Sequence, residues 1–386
     1  MLALDALQAS LALSMNAVSA PNTLSYLPRR IVTAREKCRL TQEELAQRLG
    51  FKDRQILASI EAGQRRVTAE ELVAISDVTH LDLDFFTDPF RLVGEGAFSY
   101  RASGVEPAIL DAFEQQVGGW IALWRQLGER RREPSSLLRP RLAMNTRSTF
   151  EEAQFAGEMV VHELNLGPVP AEKLIPALES KFHLLVLEVA MPEGISGAAI
   201  QLAAGDAILI NRDESPGRKA FDLAHELFHV LTWDALPPER VDRSNPTAYK
   251  QKRIEQLADN FAGALLLPRS ALHARWEKLA KTHAPKTTIN EMADYFHVST
   301  MAVGWRAVAL DWLTTDELKA LDLQSAKPKK KSNPHAIFSK RFIERAAWGI
   351  DHGEISVKRL LAILDMTLAD FRACCLTHNV NLEIGL

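Results

Sequence analysis

The chain has 386 residues, 47% of them hydrophobic and 25% charged, an ordinary globular balance with length for roughly two to three domains. A net charge of -3 excludes a surface that coats nucleic acid uniformly, while leaving room for local basic patches. Three cysteines (Cys38, Cys374, Cys375) cannot build a disulfide framework, and no apolar run reaches the ~18–20 residues that span a bilayer. The chain is therefore read as cytoplasmic, in a reducing compartment, with no membrane partner.

Residues 1–28 read as a disordered or helical extension. The stretch is apolar, but it lacks a basic n-region and carries Asp5, unlike a secretory signal, and either Met1 or Met15 could be the true start. Residues 29–66 then hold ten Lys/Arg against five Asp/Glu. Within them Thr41 and Glu44 form a capping box, Leu45, Ala46 and Leu49 one apolar face, and Gly50 a stop. Asp53 caps a second short helix from Arg54 to Glu61. Two short helices joined by a tight turn make a helix-turn-helix, whose second member enters the major groove. Gln42, Arg54, Gln55 and Ser59 are the candidate DNA-facing polar side chains, with Arg suited to guanine and Gln to adenine. Arg65 and Arg66 would sit on phosphates. The runs Leu40–Ala46 and Ser59–Arg65 resemble the Xre/Cro-type helix-turn-helix family, with a turn one residue longer than usual. The bland reading of the same unit is a protein-contact or dimerisation module.

Residues 91–148 read as a helical connector, with a long helix over Glu106–Arg132 interrupted at Gly118–Gly119 and an i,i+4 packing pair, Trp120 and Trp124. Pro134–Ser136 and Arg139–Arg141 mark a linker. A helix follows over Thr149–Leu166, then strands over His183–Val189, Ser196–Leu202 and Asp206–Asn211, the last two joined by a hairpin signal at Ala203–Gly205. The strand ending at Asn211 is the candidate edge for pairing with an extended substrate.

Phe221–Leu231 contains His225-Glu226-x-x-His229. On a helix, positions i and i+4 share one face, so both imidazoles reach one metal while Glu226 holds a water as general base. A catalytic zinc needs a third protein ligand. Downstream, Glu255 and Asp259 are again i and i+4, on a helix whose Ala258, Phe261, Ala262 and Leu265 point to burial. Glu255 is the candidate third ligand and Asp259 the partner that accepts a ligand histidine's free N–H. Asp259 as the ligand itself is the alternative. Tyr249, in the loop between the two helices, is a weak candidate for stabilising the oxyanion, and Thr232–Lys250 a candidate lid.

The pairing of Phe221–His229 with Glu255–Pro268 resembles the ImmA/IrrE family of bacterial metallopeptidases, from about Phe155 to Trp312. The resemblance implies Zn2+-dependent cleavage of a helix-turn-helix repressor, derepressing stress-response, mobile-element or phage-defence genes.

Thr287–Leu313 reads as a small helix-turn-helix-like unit of low basic content, packed on the peptidase. Lys327–Pro334 is a basic tether, and residues 338–380 hold two or three helices with no assigned chemistry. Cys374 and Cys375 read as buried small hydrophobes, the rival being a thiolate at the fourth zinc position.

The expected fold class is α+β and mostly α. The expected units are 1–28, extension; 29–90, helix-turn-helix; 91–148, connector; 149–275, zinc metallopeptidase around a small three-stranded sheet; 276–325, helical extension; and 326–386, linker and C-terminal helices. The expected partners are a protein substrate and DNA, with a dimer as one possible assembly. The rival reading is a DNA-binding regulator whose peptidase-like part senses or holds a partner, in the manner of an antitoxin, without cutting it.

Overall fold

The structure is a computed structural model. It describes residues 14–17, 26–94, 96–102, 105–133, 138–202, 205–236, 241–242, 249–323 and 338–382. The chain is mostly α. Helices α1 (Tyr26–Lys37), α2 (Gln42–Arg48), α3 (Arg54–Glu61), α4 (Ala69–Thr79) and α5 (Leu83–Thr87) form the N-terminal unit. Both expected caps are present: the Thr41–Glu44 capping box on α2, and Asp53 accepting from the Gln55 amide on α3. Ile31, Leu45, Leu57, Ile60, Ile75, Phe85 and Phe86 close its own small core.

The centre is a sheet of five strands in the order β4-β6-β5-β2-β7. Its elements are β2 (Gly96–Ala102), β4 (Leu185–Val189), β5 (Gly197–Leu202), β6 (Gly205–Asn211) and β7 (Val241–Asp242). The three expected strands are its β4, β5 and β6. β5 and β6 pair antiparallel as a hairpin, and β4 joins β6 in parallel. β6 is therefore interior, which corrects its expected place at the edge. Beyond β4, Phe338 bridges to Leu187. β2 pairs antiparallel with β5, and β7 parallel with β2. A separate ribbon pairs β1 (Ser14–Ala17) with β3 (Leu138–Arg141), so strands stand where the N-terminal extension and the Arg139–Arg141 linker were expected.

Alternation along the strands splits the sheet's side chains between two cores. Val186, Ala199, Ile208 and Ile210 face one core, built with α7 (Phe150–Glu163), α9 (Pro216–Thr232) and α10 (Tyr249–Leu266). A single turn, α8 (Leu174–Ala177), precedes β4 on that side. Leu185, Leu187, Val189, Ala198, Ile200, Ala207 and Leu209 face the other. That second core is filled by α6 (Pro107–Arg130) and by Phe338, Phe342, Ile350, Leu360 and Phe371 from the C-terminal part. A sheet covered on both faces has no polar side to show, which is why these strands read as near-continuous apolar runs.

The expected connector and C-terminal segment thus form one layer on the back of the sheet. α6 runs unbroken through Gly118 and Gly119. There Leu92 approaches so closely that a Cβ added at Gly118 would stand 3.1 Å from its side chain, while one at Gly119 would make ordinary contact with Ile363 at 3.6 Å. Trp120 meets Phe338 edge-on at 5.3 Å and Trp124 stacks on Phe342 at 5.9 Å, the packing role expected of that pair.

After α10 come α11 (Arg269–Ala280), α12 (Pro285–Phe296), α13 (Thr300–Ala309) and α14 (Thr315–Ala320), which pack against the front core. The C-terminal part is three helices: α15 (Lys340–Asp351), α16 (Val357–Leu364) and α17 (Leu368–Thr377). Cys374 and Cys375 lie on α17 inside the back core, where burial pushes the Cys375 thiol up to about 11. The sheet separates that core from the front core, and the thiols belong with the small hydrophobes, not with a metal.

Candidate metal centre

Helix α9 starts at a proline that needs no N–H partner in the first turn, and it is buried from Asp222 to Thr232. Its C-terminal end is held by the buried Arg141 guanidinium, which donates to the Val230 carbonyl at 3.2 Å and pairs with Asp206 and Asp234. A cation there meets the negative end of the helix dipole. Helix α10 crosses α9, with Phe228 and Phe261 in contact at 5.6 Å. This packing brings together residues 30 positions apart in sequence.

The donor atoms of His225, His229 and Glu255 converge within 4.8 Å of one another. His225 Nε2 and His229 Nε2 are 3.2 Å apart. Glu255 lies 3.4 Å from the first and 3.6 Å from the second. Ligands of a tetrahedral zinc at ~2.0–2.1 Å stand roughly 3.3–3.4 Å from each other, so this triangle has the dimensions of one face of such a site. The donor set, two imidazoles and a carboxylate, suits that metal as well. Asp259 Oδ1 lies 2.9 Å from His225 Nδ1. With that ring nitrogen donating to the carboxylate, Nε2 keeps its lone pair toward the triangle. Two facing Nε2 atoms with lone pairs repel unless a proton or a cation stands between them.

Glu226 is buried, on the side of α9 that faces β5. A Cβ on Gly197 would stand 3.0 Å from both Glu226 Cγ and Oε1. Any larger residue there would crowd the carboxylate. Sequence reasoning missed Gly197; its signal was a glycine inside an otherwise apolar strand. Asp222, one turn before Glu226, is also buried. Its carboxyl is pushed up to about 6 by burial, against the pull of the Arg218 guanidinium at 3.0 Å. The cleft over these groups has a volume of about 790 Å³. One wall is α13, which contributes Met301, Ala302, Trp305 and Val308, from the unit that the sequence reading placed against the peptidase without a part in the site.

Residues 192–307 match the model of the peptidase M78 family, described as the IrrE N-terminal-like domain, and residues 31–86 match that of the helix-turn-helix family. The chain joins a helix-turn-helix domain to an IrrE N-terminal-like domain. No curated protein matches it. Among solved structures, a Mycobacterium tuberculosis transcriptional regulator is 17% identical over 51% of this chain and 54% of its own, with a TM-score of 0.33. This chain thus spans about half the length of that protein. The apo form of the competence regulator ComR from Streptococcus vestibularis is 10% identical over 93% of this chain and 100% of its own, with a TM-score of 0.17. ComR from S. thermophilus, in complex with DNA and its signalling peptide ComS, is 11% identical over 92% and 100%, with a TM-score of 0.16. Scores this low carry no structural argument.

In the helix-turn-helix domain, Arg54 and Gln55 stand exposed at the start of α3, and Arg66 is exposed after it. The other expected DNA contacts are engaged within the domain. The Gln42 amide donates to Glu61 at 2.8 Å, Arg65 pairs with Glu71 at 2.7 Å, and the Ser59 hydroxyl donates to the Gln55 carbonyl at 2.8 Å. Tyr249 opens α10 instead of lying in a loop, and its side chain falls outside the described residues. Most of the expected lid, residues 237–240 and 243–248, falls outside them too.

Proposed function

We propose that the IrrE-like domain is a zinc-dependent endopeptidase. Its substrate is a helix-turn-helix transcriptional repressor, whose cleavage derepresses stress-response, mobile-element or phage-defence genes. The observation that carries the proposal is the triangle of His225, His229 and Glu255 beside the buried Glu226, at the foot of an open cleft. His225, His229 and Glu255 would hold the ion, and Asp259 would fix the tautomer and angle of His225. Bound there, zinc supplies Lewis acidity that polarises a peptide carbonyl and acidifies water at neutral pH. Glu226 takes a proton from the attacking water and returns it to the leaving amine. Gly197 leaves space for the Glu226 carboxylate, which is buried. The helix-turn-helix domain contacts DNA through Arg54 and Gln55, which locates the peptidase near repressor-bound operators.

The test compares the wild type with Glu226→Gln against the repressor it controls, by mass spectrometry of the repressor and by a reporter of its operator. Glu226→Gln keeps zinc and DNA binding but leaves the repressor whole and the reporter silent. A reporter that responds equally in both contradicts the peptidase reading.

A further inference from the structure

The cleft meets the sheet at Gly197, the first residue of β5, and at Ser196 just before it. An extended peptide docks on a sheet by main-chain bonds along an unpaired strand edge. One side of β5 is taken by β6. The other is taken by this chain's own residues: β2 runs antiparallel to β5 from Gly96 opposite Leu202 to Tyr100 opposite Ala198. Continued one residue, the same register sets Arg101 opposite Gly197, the residue against Glu226. Strand β2 therefore holds the edge that a peptide crossing the metal centre would use.

We propose that β2 is a resident pseudosubstrate strand, which must leave β5 before a peptide substrate can pair there, and that the helix-turn-helix domain is the handle that moves it. The proposal rests on the peptidase reading above. Two observations fasten the chain just before β2 to the DNA-binding unit. The buried Arg30 guanidinium on α1 donates to the carbonyls of Phe86, Asp88 and Arg91 at 3.1, 2.9 and 2.5 Å. Gly94, at φ 63°, lies so close to α1 that a Cβ would stand 2.0 Å from Thr33 Oγ1. From Gly94 to Gly96 the chain spans at most about 7 Å. A larger displacement of the helix-turn-helix domain, on binding DNA or a partner, has to pull on β2. The strand is also placed to yield, because beyond it the sheet continues only as the two-residue β7 among the described residues.

The test uses the zinc-loaded full chain and two probes: acetohydroxamate, which chelates without a backbone to pair, and an apolar pentapeptide hydroxamate, which chelates and pairs. Ser99→Pro and Tyr100→Pro are adjacent, so one of them removes a donor to β5. Ser99→Cys with Ala199→Cys, which stand opposite each other in register, locks the strands when oxidised. If β2 is open about a tenth of the time, releasing it tightens the peptide probe up to about tenfold. The oxidised double variant loses at least as much and recovers wild-type affinity on reduction, while acetohydroxamate binds every form alike. Equal affinity of the peptide probe across all forms overturns the proposal. Failure of acetohydroxamate to bind the wild type at all overturns the metal-centre reading, and the pseudosubstrate strand falls with it.

Discussion

Removing the carboxylate of Asp259 separates two assignments of the same helix face. In the account above Glu255 is a ligand and Asp259 only steadies His225 through the 2.9 Å contact at Nδ1. Losing such an outer partner costs ~10–100-fold in metal affinity. The Asp259 side chain is 52% exposed, so water can take over part of its hydrogen bond, and the low end applies: about tenfold, or about 1.4 kcal/mol. Asp259→Asn keeps an acceptor oxygen and loses only the charge, so its loss is smaller still. Glu255→Gln removes one of the three protein ligands, and its loss exceeds about hundredfold. The assay is a competition titration of zinc against a fluorescent chelator of known affinity, with circular dichroism to show that each variant is folded. A greater loss of zinc affinity in Asp259→Ala than in Glu255→Gln would instead make Asp259 the ligand.

Gly197→Ala pushes a methyl group into the Glu226 carboxylate, where the contact would be 3.0 Å. The carboxylate has to give by a few tenths of an ångström, so cleavage slows by less than the roughly 100-fold of a 1 Å misplacement, and metal analysis of the same sample finds its zinc unchanged. Glu179 is buried, and burial pushes its carboxyl up to about 6 from an ordinary 4.5. A raised carboxyl pKa contributes stability that is present below the unfolded pKa and is lost as pH rises through the folded one. Glu179→Gln therefore removes about 2 kcal/mol of stability loss between pH 4.5 and 6, read from urea unfolding at a series of pH values. Arg54→Ala relaxes base discrimination by about 1–3 kcal/mol at one operator position, and binding to operators altered at single positions shows which one. A uniform loss across all sequences would instead make Arg54 a phosphate contact.

Much of the site was legible in the sequence because its chemistry lies on two helices with i,i+4 spacing. His225, His229, Glu255 and Asp259 could be placed on faces from periodicity alone. The caps at Thr41 and Asp53 were legible for a similar reason, being local. What escaped was set by pairing across long sequence distances. Nothing in the continuous apolar run of residues 207–210 tells an interior strand from an edge strand, because both faces of β6 are buried either way. Residues 96–102 read as part of a connector, yet their partner is β5, a hundred positions on. Residues 287–313 were read as a unit packed on the peptidase, and nothing in their sequence says that Met301 and Trp305 border the cleft. Residue type made Gln42 and Arg65 candidate DNA contacts, and the sequence did not show that Glu61 and Glu71 also hold them within the domain.

Zinc K-edge absorption of the zinc-loaded full chain tests the account at its centre. A centre of His225, His229 and Glu255 gives one zinc per chain, with two imidazole nitrogens and carboxylate or water oxygens at ~2.0–2.2 Å and no sulfur in the shell, and His229→Ala abolishes stoichiometric binding. Sulfur ligands, fewer than two imidazoles, or a shell unchanged by His229→Ala would contradict that ligand set.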